Sequence, residues 1–358
     1  MHVCIVSDVF YPIIEGDVVR ILKDALVIKE TGNSVSIVSP YEGIETINCY
    51  KINSRGSSLF SFTYAVWKIH QKSTIDIIWI NRYFLILPFF ILSKIIGAKF
   101  VCEIHGPERK QTEYFSKSRK KIVYDIIYFI DELLLKFIDK IVVVERELAE
   151  WLQKDLYVSK NKIIFIGNYP DLSIFSPVKK KRGGNFIVGF LGSLIKGRID
   201  PLLELVAKNK KGYSYIVIGD GEDKEKVLSF KNIIHLVEND YQKVHLHLKR
   251  LDLGIIFSLS TNVVFPEKGP PMKLFEYLAC GVPVIAVNMP NLRPFIENNG
   301  VGLVVGKGEL DQGIAKIRNN YSWYKKRTLK FRSKMLKCYS WKKEKKKILY
   351  LLNNFSYL

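Results

Sequence analysis

The sequence predicts an α/β protein made of two doubly wound parallel sheets, and three observations support that fold class. Short β-branched runs alternate with amphipathic segments along the whole chain. Such continuous apolar runs are typical of parallel strands that helices cover on both faces. The chain has 358 residues, 48% of them hydrophobic, which is enough for about two domains with cores of their own.

The first half of the chain follows this alternation in order. A helix is expected at residues 18–30, with Val19, Leu22 and Leu26 on its apolar face. The most apolar stretch, residues 83–96, is shorter than the about twenty apolar residues that a membrane-spanning helix needs. We interpret it as a buried helix, with shallow insertion into a membrane as the alternative. Strands are predicted at residues 2–7, 34–39, 76–80, 99–104 and 140–144.

A break in the pattern separates the two halves. Residues 168–185 combine two prolines, a Lys/Arg run and a Gly-Gly pair, which indicates a linker. Further strands are predicted at residues 186–190, 215–218, 233–236, 253–257 and 282–287. The predicted organisation is an N-terminal Rossmann-like domain, a linker, a C-terminal Rossmann-like domain and a basic C-terminal helix, at residues 1–170, 171–185, 186–335 and 336–358.

Cysteine usage and the first residues suggest a compartment. The five cysteines lie far apart and form no CxxC pair, which favours a reducing environment and no structural zinc. The first residues lack the basic stretch of a secretory signal, and Asp8 interrupts their apolar run. His245 and His247 are two residues apart, a spacing that fits no zinc motif. We therefore expect a cytoplasmic protein without a bound metal.

Three motifs of the second half follow predicted strands. FLGSLIKG places Gly192 at a strand end and Lys196 before a helix, so that backbone amides and an ammonium can meet a diphosphate. IVIGDGE carries Gly219 in an equivalent turn. PPMKLFEYLACGVPVIA places Lys273 and Glu276 near a helix start, where the carboxylate can accept from a ribose diol and the lysine can face phosphate. The structural alternatives are an ordinary turn with a solvated lysine and a surface ion pair.

Two motifs of the first half have the same placement. VCEIHG puts His105 directly after a strand, and the carboxyl edge of a parallel sheet is where ligands bind. A purely structural histidine is the alternative. DVFYPIIEGD follows the first strand and carries Gly16, which permits a close approach to a ligand. It is not the GxGxxG fingerprint of dinucleotide-binding proteins.

In their order and spacing these motifs resemble the retaining glycosyltransferases of family four, also called group 1. That family has the GT-B architecture, two Rossmann-like domains with the donor site in the cleft between them. The resemblance covers most of the chain, because DKIVVVERELAEWL resembles the end of the first domain and KIIFIGNYPDLSIFSP the stretch near the hinge. PPMKLFEYLACGVPVIA is the most diagnostic segment.

The resemblance implies a donor and a role for each motif. The donor would be a nucleotide sugar carrying UDP or GDP, with no tightly bound cofactor and no metal. Lys196 would neutralise the leaving diphosphate, Glu276 would hold the ribose hydroxyls, and the amides near Lys273 and Leu274 would meet the phosphates. His105 would lie beside the transferred sugar. The turns at Gly192 and Gly219 would approach the phosphates. The loop at Gly16 would approach either the phosphates or the acceptor.

Three positions depart from the family pattern. Ser193 stands where the family usually has arginine, and Arg198 is the candidate substitute for the missing phosphate contact. Gly16 is followed by Asp17, not by a second glycine. Glu267 lies one residue away from the expected first glutamate of the family's pair, and it would reach the donor sugar only if the loop bulges.

The function implied is transfer of a sugar, with retention of configuration, to a lipid-linked or other glycan acceptor in surface polysaccharide or glycolipid assembly. One alternative is a catalytically inactive relative that serves as a partner subunit. Another is a basic nucleic-acid-binding protein, because the tail interleaves aromatic residues with lysines. We expect no nucleic-acid partner, since that alternative leaves the motif series unexplained.

The charge of the chain is +20 and is concentrated in two clusters. Residues 321–358 carry twelve Lys/Arg and one Glu, and residues 109–121 carry six Lys/Arg and one Glu. In the resembled fold the last helix returns to the first domain, which faces the acceptor. We expect both clusters to dock on the anionic inner face of the cytoplasmic membrane, with a solvated lysine-rich helix face as the alternative.

Overall fold

The computed structural model describes most of the chain and divides it into two units. The first unit is Met1–Gly167 with Glu344–Leu358, and the second is Asn168–Lys343. Each contains a parallel sheet whose strands alternate with helices, so the prediction of two doubly wound domains is confirmed. The described residues are 1–10, 16–43, 46–52, 59–81, 86–106, 121–178, 184–208, 212–257 and 269–356.

The first unit is built on a parallel sheet of the order β3-β2-β1-β4-β5-β6-β7. Its strands are β1 (His2–Val6), β2 (Ser34–Ser39), β3 (Asn48–Lys51), β4 (Ile77–Asn81), β5 (Lys99–Ile104), β6 (Lys140–Val143) and β7 (Ile163–Phe165). Its helices are α1 (Gly16–Glu30), α2 (Leu59–Lys72), α3 (Ile86–Ile96), α4 (Lys121–Leu134) and α5 (Arg146–Lys154). The apolar runs of β1, β4 and β5 are buried throughout or nearly so, as expected for strands covered on both faces.

Helix α1 buries the predicted face only in part. Val19 is buried as predicted, but Leu22 and Leu26 are only half-buried. Arg20 and Asp24 lie in the interior. The apolar period alone did not reveal this, because the charged side chains are paired inside the unit and need not face solvent. Gly32 has a φ of +76° and its amide donates to the carbonyl of Lys29, which ends the helix region.

The prediction that residues 83–96 form a buried helix is correct only for one side of α3. Phe89 and Leu92 are buried, whereas Ile91 and Ile95 are exposed. The buried carboxylate of Asp131, on α4, accepts a hydrogen bond from the amide of Leu87 at 3.3 Å. Helix α3 therefore packs on the sheet and on α4, and keeps an apolar side outside.

The second unit has a parallel sheet of the order β10-β9-β8-β11-β12-β13. Its strands are β8 (Phe186–Leu191), β9 (Tyr213–Ile218), β10 (Ile233–Leu236), β11 (Leu253–Phe257), β12 (Val284–Val287) and β13 (Gly302–Val305). Its helices are α6 (Asp200–Lys208), α7 (Lys224–Leu228), α8 (Tyr241–Leu248), α9 (Met272–Ala279), α10 (Arg293–Asn298), α11 (Leu310–Asn319) and α12 (Tyr321–Cys338). In both sheets the order reverses beside the first strand of the unit, which is the switch point where ligands of such sheets bind.

The last helix, α13 (Trp341–Ser356), joins the first unit from Glu344 onward. The buried carboxylate of Glu344 accepts from the amide of Gly167 at 2.7 Å, and Lys347 donates to the carbonyl of Phe165 at 2.8 Å. Lys345 forms an ion pair with Glu30 of α1. Two lysines of the basic tail therefore hold α13 to the unit.

Candidate functional site

In the second unit, two glycine turns meet at the carboxyl edge of the sheet. Gly192 follows β8 with a φ of +141°, and Gly219 follows β9 with a φ of +149°. A Cβ on Gly219 would overlap the carbonyl of Gly192, so only glycine permits the two backbones to come this close. The amide of Gly192 donates to Ile218 and that of Gly219 to Leu236, which holds both turns at the sheet edge.

The ammonium of Lys273 lies over the Gly192 turn. Lys273 is in the first turn of α9, its Nζ is 5.3 Å from the centre of the Phe190 ring, and a Cβ on Gly192 would collide with it. Leu274, the next residue, is fully buried and anchors the start of the helix. A cation, a helix N-terminus and a side-chain-free turn therefore converge here, which is an arrangement suited to phosphate.

Glu276 is the buried carboxylate of the same helix. It is one turn further along α9, only 2% exposed, and hydrogen-bonded to the hydroxyl of Tyr241. Burial and the neighbouring Glu276 charge raise the pKa of Tyr241 well above its ordinary value, so the hydroxyl stays a donor. Sequence reasoning missed Tyr241, because the two residues are far apart along the chain and no motif joins them.

The loop after β8 places its two basic residues differently. Lys196 is exposed, and its amide is 3.3 Å from the carboxylate of Glu222. Arg198 is buried and donates to the carbonyl of Ser193 at 3.1 Å, so it braces the loop from inside. The predicted residues Ser193, Lys196 and Arg198 are therefore in one loop beside Gly192, while Glu267 lies outside the described residues.

The first unit brings His105 into a charged cluster that the sequence did not predict as a whole. The imidazole Nδ1 is 3.1 Å from a carboxylate oxygen of Asp17, and Nε2 is 3.2 Å from Oε1 of Glu103. Glu103 is completely buried, and Arg20 and Trp79 contact its carboxylate at 3.2 Å through Nε and Nε1 respectively. His105 thus sits at the rim of a buried network that extends into the core.

These contacts determine the charge of the imidazole. Burial alone would lower the pKa of His105, but Asp17 and Glu103 outweigh it and raise the pKa to about 10. Burial likewise opposes the ionisation of Glu103, yet Arg20 and His105 lower its pKa. At neutral pH the site therefore presents an imidazolium held by two carboxylates.

Asp17, Glu103 and Arg20 are site residues that sequence reasoning missed or saw only as departures. Asp17, which replaces the family's second glycine, is in the first turn of α1 directly after Gly16. Its spacing to Arg20 and Asp24 places all three on one side of a helix, and Glu103 and His105 are two apart at a strand end. Both spacings are visible in the sequence, but the pairing of helix with strand is not.

Most of the aromatic residues that suggested the nucleic-acid-binding alternative are covered by the fold. Tyr324, Phe331 and Trp341 are buried, and Tyr339 packs against Tyr169 with ring centroids 5.4 Å apart. Trp323 is 49% exposed, so one ring of that set is accessible. Within the described ranges, no group of three or more His, Cys, Asp and Glu side chains is arranged to hold a metal ion.

Comparison with known proteins agrees with the order of these motifs. Residues 173–332 match the family described as glycosyl transferases group 1, and residues 32–173 match glycosyltransferase family 4. Together the two matches span residues 32–332. The chain is 23% identical over 202 residues to TuaH of Bacillus subtilis, whose name places it as a glycosyltransferase in teichuronic acid biosynthesis. The match spans 52% of this chain and about half of the relative, 48%.

Solved structures of the same fold cover almost the whole chain. Sucrose-phosphate synthase from Thermosynechococcus elongatus superposes with a TM-score of 0.76 at 14% identity, over 99% of this chain and 98% of the other. Anabaena HepE in complex with UDP-glucose superposes with a TM-score of 0.73 at 15% identity, over 99% and 100%. These likenesses establish the GT-B fold. Among the residues that the structure describes, no helix is long and apolar enough to cross a bilayer.

Proposed function

We propose that the protein transfers a sugar from a UDP- or GDP-sugar to a glycan acceptor with retention of configuration. The observation that carries the proposal is the convergence of the Lys273 ammonium on the Gly192 turn, beside the buried carboxylate of Glu276. A diphosphate needs the amides and the cation, and a ribose diol needs the carboxylate. The UDP-glucose complex of Anabaena HepE supports the choice of donor.

The roles of the loop residues follow from their positions in the second unit. Exposed Lys196 would neutralise the diphosphate as it leaves, while Arg198 would keep the loop in shape through Ser193. His105 would lie beside the transferred sugar, where its imidazolium would act as a hydrogen-bond donor. No tightly bound cofactor takes part in this scheme.

We further propose a lipid-linked acceptor in surface polysaccharide assembly, and a location at the inner face of the cytoplasmic membrane. The relationship to TuaH supports the pathway, and the wide spacing of the five cysteines along the chain fits a reducing compartment. Of the tail lysines, Lys342, Lys343 and Lys346 are exposed and available to anionic lipid. The second basic cluster, residues 109–121, lies almost entirely outside the described residues, with Lys121 beginning α4.

Titration calorimetry with UDP and GDP tests the donor site. Lys273→Ala and Glu276→Gln each remove a charge-assisted hydrogen bond worth about 1.5–3 kcal/mol, so the Kd should rise by about tenfold to hundredfold. Lys231→Ala, an exposed lysine outside the motifs, is the matched control and should bind like the wild type. Unchanged affinity in both site variants would overturn the proposed donor site.

Turnover tests the reaction itself. Incubation with a panel of sugar nucleotides and lipid-linked acceptors should give a product whose anomeric configuration, read by NMR, equals that of the donor. Lys196→Ala should lower kcat more than donor affinity, because its charge is needed when the diphosphate departs. An inverted product would contradict the proposed stereochemistry, and binding without turnover of any donor would favour the inactive-partner alternative.

A further inference from the structure

Three neighbouring helices of the first unit leave an apolar stripe in solvent. Helix α2 packs on α3, and α3 packs on α4. Each helix contributes buried side chains to one core cluster, for example Phe62, Phe89 and Tyr128. The opposite stripes are exposed, and together we call them the outer helix face. Its members are Phe60, Tyr64, Trp67, Leu87, Ile91, Ile95, Ile126, Phe129 and Leu133.

The spacing and exposure of these side chains set the outer helix face apart. On each helix they recur every three or four residues, so they form stripes and not scattered positions. Phe60 is 82% exposed, Ile95 67% and Phe129 62%. In the second unit, Leu228 and Ile234 are exposed apolar residues that lie on separate elements. Single exposed apolar residues are ordinary, whereas a contiguous apolar surface marks a docking site.

On two of the three helices, every charged residue is a lysine. The sequences of α2 and α3 contain no Asp or Glu, and their charged residues are Lys68, Lys72 and Lys94, all exposed. The ammonium of Lys68 lies 4.6 Å from the centre of the Tyr64 ring, so cations border the aromatic surface. Among the described residues of these three helices, the carboxylates belong to α4, where Asp125 and Glu132 are half-buried and Asp131 is buried.

An apolar surface bordered by lysines fits one occupant best. Apolar side chains can enter the acyl boundary of a bilayer while lysine ammoniums stay with the headgroup phosphates. A second copy of this chain would bring lysines against lysines on a molecule of net charge +20. We propose that the outer helix face inserts into the interface of an anionic bilayer. The insertion rests on the proposed function in one respect: it would bring the protein to a lipid-linked acceptor at the bilayer surface.

The experiment is co-sedimentation of the full-length protein with vesicles of phosphatidylcholine containing phosphatidylglycerol, or of phosphatidylcholine alone. The test variant is Trp67→Ser with Ile91→Ser and Ile95→Ser. The matched control is Leu228→Ser with Ile234→Ser and Leu246→Ser, three apolar residues of the second unit that are 46–52% exposed. Equal Tm values of the three proteins establish that each is folded.

We expect the wild type and the control to bind anionic vesicles, and the test variant to bind at least about tenfold more weakly. Lys68→Gln with Lys94→Gln should weaken binding about fivefold per lysine on anionic vesicles only. Quenching of Trp67 fluorescence by brominated lipid, judged against Trp67→Phe, should report insertion directly.

Three results would overturn the inference. The first is equal vesicle binding by the test variant and the wild type. The second is loss of vesicle binding only when Lys342, Lys343 and Lys346 are replaced by glutamine. The third is a dimer in solution that the substitutions of the test variant abolish. UDP binding, measured without lipid, separates this inference from the proposed function. Intact UDP binding with no vesicle binding defeats the membrane face alone, whereas absent UDP binding defeats the donor site.

Discussion

The buried carboxylate of Glu103 is predicted to keep His105 positively charged, and Glu103→Gln tests this. The Nε2 of His105 is 3.2 Å from Oε1 of Glu103. At an effective dielectric constant of about 20, two unit charges at that separation attract by about 5 kcal/mol, equivalent to about 4 pH units. A nearby opposite charge in proteins changes a pKa by about 1–3 pH units, so the Coulomb value is an upper bound.

We therefore expect Glu103→Gln to lower the pKa of His105 from about 10 to between about 7 and 9. Asp17→Asn, which removes the carboxylate at 3.1 Å, should act in the same direction. In the double variant burial dominates, and the pKa should fall below the ordinary value of 6.5. The alkaline limb of the pH–rate profile should move to lower pH in the same order.

The assay is a pH titration of the imidazole Cε1–H signal by NMR, with His105→Gln to assign the resonance. The native pKa lies above 6.5, so the imidazolium stabilises the fold fully below pH 6.5. That stabilisation is lost as the pH rises through about 10. A pKa of His105 that stays at about 10 in both single variants would refute the electrostatic reasoning, and with it the role given to Glu103.

Three further predictions concern stability and donor binding. Burial raises the pKa of Asp131 from 3.8 to about 7, so the wild type should lose up to about 4 kcal/mol of stability as the pH rises from about 4 to 7. Asp131→Asn should remove that slope in urea unfolding. Gly219→Ala forces a side chain into a φ of +149° and should cost at least about 2 kcal/mol, seen as a lower Tm, whereas Gly308→Ala, with open space around it, should not. Tyr241→Phe removes the hydrogen bond to Glu276 and should weaken UDP binding about fivefold by calorimetry.

Each of these has a contradicting outcome. Parallel pH slopes for Asp131→Asn and the wild type would show that another group titrates. Equal Tm values for the two glycine variants would mean that the Gly219 turn tolerates a side chain. Tyr241→Phe is compared with Tyr321→Phe, whose hydroxyl donates to Asp252 elsewhere in the unit. Equal UDP affinity in both would leave Tyr241 without a role in binding.

The local sequence was sufficient to predict most strands of the two sheets. The strands at Ser34–Ser39, Lys99–Ile104, Ile233–Leu236 and Leu253–Phe257 have the predicted bounds. Their β-branched runs carry the information in consecutive residues, and parallel strands need no partner-specific pattern. Glycines at strand ends were predictable for the same reason, because a turn with positive φ leaves a local signature.

The site was predictable only in part. Gly192 was predicted from one motif, and Lys273 and Glu276 from another, since the first follows a strand and the other two lie near the start of a helix. The contacts of Glu103 with Arg20 and of Tyr241 with Glu276 were not, because they join residues far apart along the chain. Such pairs depend on which helix packs on which strand, and the spacing of residues along the sequence does not specify that packing.

The sequence by itself determined the fold class, the order of the motifs and the excess of positive charge. These follow from properties that add along the chain, namely the apolar period, turn residues and formal charge. Only the tertiary structure decided that Asp17 and Glu103 flank His105, that two tail lysines are bonded within the first unit, and that α3 keeps one apolar side in solvent. The physical reason is that burial and pairing depend on the neighbours that a fold provides. The same residue type can therefore lie in the core, form an ion pair or stay exposed on the surface.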